Sequence, residues 1–448
     1  MNPDLDVAVV GAGVAGLTVA HTMRKAGRSV QVFEAADRVG GRMATLRHDG
    51  YSIDAGAEQI ATHGYRATWE LLRELDVPVA DVPLIGARIG MWRDGRAHAG
   101  VAHPLGLVTG AGLSVRGRLD LARLMTWVAR NRRGFDPDHP ERSPLGTATV
   151  ADLADRYHPD LGRYLFQPVV GGFFGWDTQR SAAAPFLSLL RAVGPSTGWR
   201  TYREGMDTLA RRLAERVEVA TGQPVQEVVG GTCSARLVTA GATVTARSVV
   251  LCVPAPVACE LYPNMPEEER PFLEASSYTP MLKVSCLLDR PVSAQGGRRL
   301  YALLVPAAED AVLSGAIMDH VKNPRRVPTG RGLVTLLASS AVIPDLLGAS
   351  DEEVVHRLVG PAERYLPGLT RATVANFVHR FRNGLPEATP AALRLRADFV
   401  RRPAGAVDYA GDWVMVRPSS EGAVRAALMA SARVLARHGA TLHPKAPA

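Results

Sequence analysis

The sequence predicts an α/β fold in which a Rossmann-like nucleotide-binding domain is joined to an α+β domain. Two observations carry that prediction. The first is a strand–glycine loop–helix–strand–acid unit within residues 6–34. The second is a set of short apolar strands at 281–291, 302–305, 314–318 and 332–339, set apart from that unit by a helix-rich stretch. Length and composition leave room for both. The chain has 448 residues, 46% hydrophobic and 21% charged, with mean hydropathy near zero. That usage excludes a mainly disordered chain, a collagen-like repeat and a polytopic membrane protein, and it supplies apolar material for a large core with a pocket inside it.

The formal charge of +8 is spread along the chain without a run of five like charges. Arg130–Arg133 and Arg401–Arg402 are the densest basic spots, and no nucleic-acid signature accompanies them, so a solvated surface is expected and nucleic acid is not a partner. Nearly all the positive charge comes from arginine: the only lysines are Lys25, Lys283, Lys322 and Lys445. Cys233, Cys252, Cys259 and Cys286 lack CxxC or His/Cys metal spacing, so they read as small hydrophobes or free thiols in a reducing cytosol, and no metal is expected. The N-terminus lacks a basic stretch followed by an apolar one, and no run of 18 apolar residues occurs. The expectation is a cytoplasmic protein.

Asp6–Val10 reads as a buried parallel strand, and Gly11-Ala-Gly13-Val-Ala15-Gly16 follows at once. A helix then runs over 17–26, Gly27 stops it, and Ser29–Phe33 is a second buried strand closed by Glu34. The chemistry needs that order. Gly11 makes the tight turn, Gly13 lets backbone approach a pyrophosphate, and Gly16 lets helix and strand pack closely. The helix N-terminus offers its N–H groups to the phosphates. Glu34, 18 residues after Gly16, stands where a carboxylate holds ribose hydroxyls. Gly40-Gly41-Arg42 and Asp54-Ala-Gly56-Ala57-Glu58-Gln59 come next. A nicotinamide-binding unit has no need of a second glycine pair and an arginine here. A longer flavin cofactor does.

Those motifs together resemble the flavin-containing amine oxidase superfamily, which includes monoamine and polyamine oxidases, protoporphyrinogen oxidases and phytoene- or squalene-type desaturases. The resemblance implies non-covalent FAD, with Arg42 on the pyrophosphate and Ala57-Glu58-Gln59 near the flavin ring. It also implies two later returns to the FAD domain. Trp199–Leu213, with Gly205-Met206, is similar to the family's "GGM" helix, and Val225 is the residue implied to bond adenine through its backbone. A hairpin arm at 243–254 leads into a further buried strand. Gly411-Asp412-Trp413, followed by Glu421-Gly422-Ala423-Val424 and a helix over Arg425–Arg437, resembles the "GD…EGA" element. There an acid lies near the flavin phosphate or ribitol and a helix N-terminus faces the flavin. The FAD domain is thus expected to be discontinuous, at 1–90, 200–275 and 400–437. The insertions 91–199 and 276–399 would form the substrate domain, with loose ends at 1–4 and 438–448.

Within the insertions, the amphipathic stretch Arg116–Arg133 reads as a helix packed on the substrate domain. A second reading is peripheral membrane contact through Leu, Met and Trp between arginines. Phe166–Trp176 holds four aromatics, and the resemblance makes Phe173, Phe174 and Trp176 substrate contacts, with plain core packing as the other reading of the stretch. Such a chain removes a hydride from the C–H of an apolar, ring-containing small molecule to form C=C or C=N, with O2 or a quinone as acceptor. Two alternatives stand beside it: an amine oxidase with Lys322 near flavin N5, and a non-redox isomerase. Lys322 is the catalytic candidate because a desolvated lysine can lose its proton and an arginine cannot. Against that stands an exposed loop position, and Lys283 is the runner-up. Ser419 replaces the aromatic that amine oxidases place before this Glu, which favours an apolar substrate. No cysteine lies near it for a covalent flavin link.

Overall fold

The computed structural model describes residues 3–296 and 299–439. The expected loose tail therefore lies outside the described residues beyond Gly439. At the other end Asp4 is tied down, its N–H donating to Thr245 Oγ1 (3.2 Å).

Leu5–Val10 is β1, buried over its last four residues as a central parallel strand requires. The glycine loop leads into α1 (Val14–Lys25) and back through β2 (Val30–Phe33), parallel to β1. A small antiparallel pair, β3 (Thr45–His48) and β4 (Tyr51–Asp54), precedes α2 (Arg66–Glu74). The first insertion opens with a hairpin, β5 (Arg88–Arg93) and β6 (Arg96–Val101). Its main helices are α3 (Gly106–Thr109), α4 (Val115–Arg130), α5 (Gln167–Phe174) and α6 (Ala183–Val193). The chain re-enters the first sheet through α7 (Thr208–Ala214), β7 (Val219–Ala220), β8 (Val225–Gly230), β9 (Ala235–Thr239) and β10 (Thr243–Leu251), then α8 (Arg270–Ala275).

The second insertion supplies β11 (Tyr278–Leu288), β12 (Leu300–Leu304), β13 (Leu313–Met318) and the single turn α9 (Asp319–Lys322). It continues through β14 (Gly332–Ala338), α10 (Asp351–Ala362), β15 (Thr373–Pro386) and α11 (Pro390–Arg401). The last return is β16 (Val407–Tyr409) and α12 (Ser420–Arg437).

The first sheet runs β8-β9-β10-β1-β2-β7, with β16 also on β10. The long β10 joins two sheet styles. Residues 243–246 pair antiparallel with β9, and residues 249–251 pair parallel with both β1 and β16. The second sheet runs β15-β11-β14-β13-β12-β5-β6 and is antiparallel except where β12 meets β5.

Two details differ from the sequence reading. The 88–101 hairpin extends the second sheet although the first insertion reads as helical. Its glycine, alanine and arginine content gives little β signal. The last helix starts at Ser420 rather than Arg425, because Ser419 Oγ accepts from Gly422 N (3.1 Å) and caps it. Trp127, half-buried on α4, packs edge-on to Phe135 at 5.3 Å. One apolar core runs from the first sheet into the helices of the first insertion, and a second lies between the other sheet and α10.

Candidate active site

The glycine loop has the shape its chemistry needs. Gly11 has φ +100°, and a Cβ there would lie 2.9 Å from Cys252 O. A Cβ on Gly16 would fall 1.9 Å from Gly11 O, so helix and loop touch through bare backbone. A Cβ on Gly13 would meet nothing within 4 Å. Gly13 is also the N-cap of α1, which has no side-chain cap and no acid in its first turn, and Ala15 is buried within that turn. An open space over an uncapped helix end is a cradle for a pyrophosphate, so these residues fit a dinucleotide.

Glu34 stands beside the loop: Oε2 accepts from Ala12 N (2.6 Å) and Oε1 from Ala36 N (2.9 Å). Its carbonyl accepts from Gln223 N (2.8 Å), which brings Val225, at the start of the edge strand β8, to the same end of the sheet. Glu34→Ala is expected to weaken FAD binding by roughly 1.5–3 kcal/mol, the worth of a charge-assisted hydrogen bond. Fluorescence titration of the apoprotein measures this, and equal affinity in both proteins removes Glu34 from the site.

The second and third motifs close on the first. Gly40 N donates to Ala12 O (2.9 Å), and a Cβ on Gly41 would touch Gly13 Cα at 3.6 Å. Ala57 N donates to Arg42 O (2.9 Å), and Gly56 packs against the same carbonyl. Arg42 then reaches across the chain to Asp412 in a bidentate pair of 3.0 and 2.7 Å. Gly411 abuts the Trp413 ring, while Gly422, Ala423 and Val424 lie buried in the first turns of α12. Glu421 does not face a ligand. Its carboxylate accepts from Ala67 N (3.1 Å) and Thr68 N (2.8 Å) and so caps α2.

On the substrate-sheet side of Gly56, three carboxylates and three cations meet in the interior. Glu58 pairs through one oxygen with Lys283 and through the other with Lys322. Lys283 Nζ also donates to Gly56 O (2.7 Å). Lys322 Nζ lies 2.6 Å from Asp319 Oδ1 and 3.6 Å from Asp54 Oδ2, and Arg326 pairs with Asp54. Lys283, Lys322 and Arg326 are at most 2% exposed, so only a balanced set is tolerable there. Outer partners fix the acids. Asp54 Oδ1 accepts from Thr45 Oγ1 (2.8 Å) and Met206 N (2.9 Å), and Asp319 Oδ2 accepts from Thr335 Oγ1 (2.8 Å). Tyr301 OH donates to Gln59 Oε1 (2.9 Å).

Within this array Lys322 takes the buried of its two expected positions. The side chain is buried on a helical turn, not exposed in a loop. Burial opposes its charge, but Asp319 and Glu58 outweigh burial and hold its pKa above the ordinary lysine value. Burial likewise works against Glu58, and Lys283 and Lys322 overcome it and keep Glu58 ionised. Burial dominates at Asp319 and raises its pKa despite Lys322.

The sequence shows no paired carboxylates, yet oxygens of Asp54, Glu58 and Asp319 lie within 4.8 Å of one another, a spacing that suits a metal ion. The cation among them is the Lys322 ammonium. Asp54, Asp319 and Arg326 are absent from the sequence-based site. The scarcity of lysine is the signal that leads to this place, since Lys283 and Lys322 meet on one carboxylate.

His379 lies beside the array, with Nε2 3.1 Å from Ser285 Oγ. Burial and the nearby Lys283 push its pKa down to about 4 from 6.5. The folded state therefore binds fewer protons than the unfolded one. The associated stability is present above about pH 6.5 and is lost as pH falls toward 4, by roughly 3 kcal/mol at most. Thermal midpoints of wild type and His379→Gln across pH 7 to 4 should converge as the wild type loses that increment. Parallel curves would show that His379 does not titrate on unfolding.

The aromatic stretch divides between core and site. Phe166 and Trp176 are buried, Phe166 edge-on to Phe186 at 5.9 Å and Trp176 with Nε1 donating to Pro386 O (2.9 Å). Trp176, expected to touch substrate, is thus engaged in packing. Phe173, edge-on to Trp199 at 5.5 Å, and Phe174, against Trp176 at 5.0 Å, keep part of their rings exposed. Among the described residues the four cysteines are free, and no helix is long and apolar enough to cross a membrane.

Residues 14–435 match the family model described as flavin containing amine oxidoreductase. AofH of Mycobacterium tuberculosis, named as a flavin-containing monoamine oxidase, is 37% identical over 162 residues, 36% of this chain and 32% of that protein. Protoporphyrinogen oxidase 2 of Arabidopsis thaliana is 30% identical over 169 residues, 37% of this chain and 32% of that protein. The chain thus aligns with about a third of the length of these curated relatives. The structure of a putrescine oxidase bound to putrescine superposes with a TM-score of 0.77 at 21% identity, covering 96% of this chain and 99% of the other, a likeness of fold.

Proposed function

This chain belongs to the family of flavin-containing amine oxidoreductases, and on that premise we propose that it dehydrogenates an apolar, ring-containing small molecule. It is an FAD-dependent oxidoreductase, and FAD when bound supplies the hydride acceptor. The substrate gives up a hydride from carbon and a proton from the neighbouring N–H or C–H, so the product carries C=N or C=C. O2 or a quinone receives the two electrons. The chain's own part is to hold and to exclude. The α1 end and Arg42 bind phosphate charge, Glu34 binds ribose, and Phe173 and Phe174 offer an apolar wall against which a ring can lie.

One observation supports an apolar substrate over a small cationic amine. The acids nearest the reacting side, Asp54, Glu58 and Asp319, are each already matched by Lys283, Lys322 or Arg326. None is left to receive a substrate ammonium. Ser419, where an amine-caging aromatic would stand, is committed to capping α12.

Anaerobic mixing with candidate cyclic substrates tests the reading. Loss of the flavin band near about 450 nm reports net hydride transfer. Turnover without consumption of any acceptor would assign isomerisation instead. Phe173→Ala is expected to raise KM with the FAD spectrum intact, and unchanged kinetics would return Phe173 to the core.

A further inference from the structure

The densest exposed apolar surface lies on α3 and α4, away from the site just described. Among the described residues, six of the ten exposed large hydrophobic side chains fall between residues 105 and 125: Leu105, Leu107, Val108, Val115, Leu119 and Met125. The two helices form one surface, since Arg118 Nη1 donates to Val108 O (2.8 Å). On α4, Gly117 and Leu124 are buried. At about 100° per residue, Val115, Leu119, Ala122 and Thr126 therefore line the opposite, outward face.

That face is edged by arginine. Residues 105–134 contain six arginines and one acid, Asp120. Asp120 is already engaged by Arg123 (3.0 Å) and by His158 N (2.7 Å). At the C-terminal end of α4, Arg130, Arg132, Arg133 and Arg142 line one open cleft. Underneath, the turn Pro159–Leu161 supports α4, with Ser114 N donating to Asp160 Oδ2 (2.7 Å). That turn runs directly into Gly162–Phe166 and α5, which carries Phe173 and Phe174.

We propose that this face docks the protein on a bilayer with anionic headgroups. The arginines meet the phosphates, and the side chains of α3 and α4 enter the acyl boundary. An apolar centre with basic flanks is the pattern of an interfacial helix. A second copy of the chain would set two faces of the same sign against each other, and a neutral partner would leave the arginine cleft unmatched.

The test is sedimentation of the holoenzyme with vesicles. Binding is expected to vesicles of equal parts phosphatidylglycerol and phosphatidylcholine at about 0.1 M salt, with release at about 0.5 M. Pure phosphatidylcholine should not retain the protein. The triple variant Arg130→Ala/Arg132→Ala/Arg133→Ala should bind about 100-fold more weakly, roughly fivefold per arginine. Leu119→Ser should weaken binding with the FAD spectrum unchanged. Arg24, Arg236 and Arg371 are exposed on other elements, and their triple replacement by alanine should leave binding intact. The proposal is overturned by absence of binding to anionic vesicles, or by an equal loss in the second triple variant, which would show attraction to net charge alone. A solution dimer that Leu119→Ser dissociates would overturn it too, by making the face a contact between copies.

Discussion

Glu58→Leu is expected to destabilise the folded protein by roughly 3–5 kcal/mol, because it leaves buried cations without their shared counter-charge. Among the described residues Lys283 has no other acid, since its second contact is the neutral Gly56 carbonyl. Lys322 keeps Asp319 and Asp54, so most of the loss should fall on Lys283. Glu58→Gln keeps an acceptor but not the charge, and should lie between leucine and wild type. The pH dependence has a definite sign. The folded Glu58 pKa lies below its ordinary 4.5, so its stabilisation is present above about that pH and is lost as pH falls through the folded value. Thermal or urea unfolding of the three holoproteins reads all of this. A leucine variant as stable as wild type would mean that Glu58 holds neither lysine in solution.

The cofactor cradle was legible because its signal is local. Six residues of loop, an apolar strand on each side and Glu34 form one continuous unit, and Gly11 and Gly16 answer steric demands that the backbone confirms, while Gly13 leaves open space over the helix end. Arg42 and Asp412 were also legible, each within its own motif, but not as the bidentate pair they make across 370 positions. The charged array was legible only as separate members, Glu58, Lys283 and Lys322, and not as one cluster. Its members come from residues 54–58, 283 and 319–326, and sequence spacing says nothing about which ions will be buried together. Only Asp319 and Lys322, one helical turn apart, carry a local hint. The 88–101 hairpin was missed for a related reason. Its partner is β12, some 200 residues later, and strand pairing over that distance supplies most of its order.

Lys283→Met and Lys322→Met are expected to separate chemistry from architecture. Lys322 touches three carboxylates, and among the described residues its removal leaves Asp319 without a cation and Glu58 with Lys283 alone. A cost of roughly 3–5 kcal/mol follows, as for any buried ion stripped of its partner. Lys283 differs. Removing it leaves Glu58 paired with Lys322, so the acid stays compensated and the fold should survive. Lys283 also binds the Gly56 carbonyl, next to the 57–59 segment that the family resemblance implies lies near the flavin ring. Stopped-flow flavin reduction and reoxidation in Lys283→Met should therefore fall by about 100-fold in at least one half-reaction, with FAD content unchanged. The expected mark of Lys322→Met is a lowered thermal midpoint and partial loss of FAD. The reverse pattern, a slow but fully stable Lys322→Met beside a normal Lys283→Met, would give Lys322 the role at the flavin that its place in the sequence first suggested.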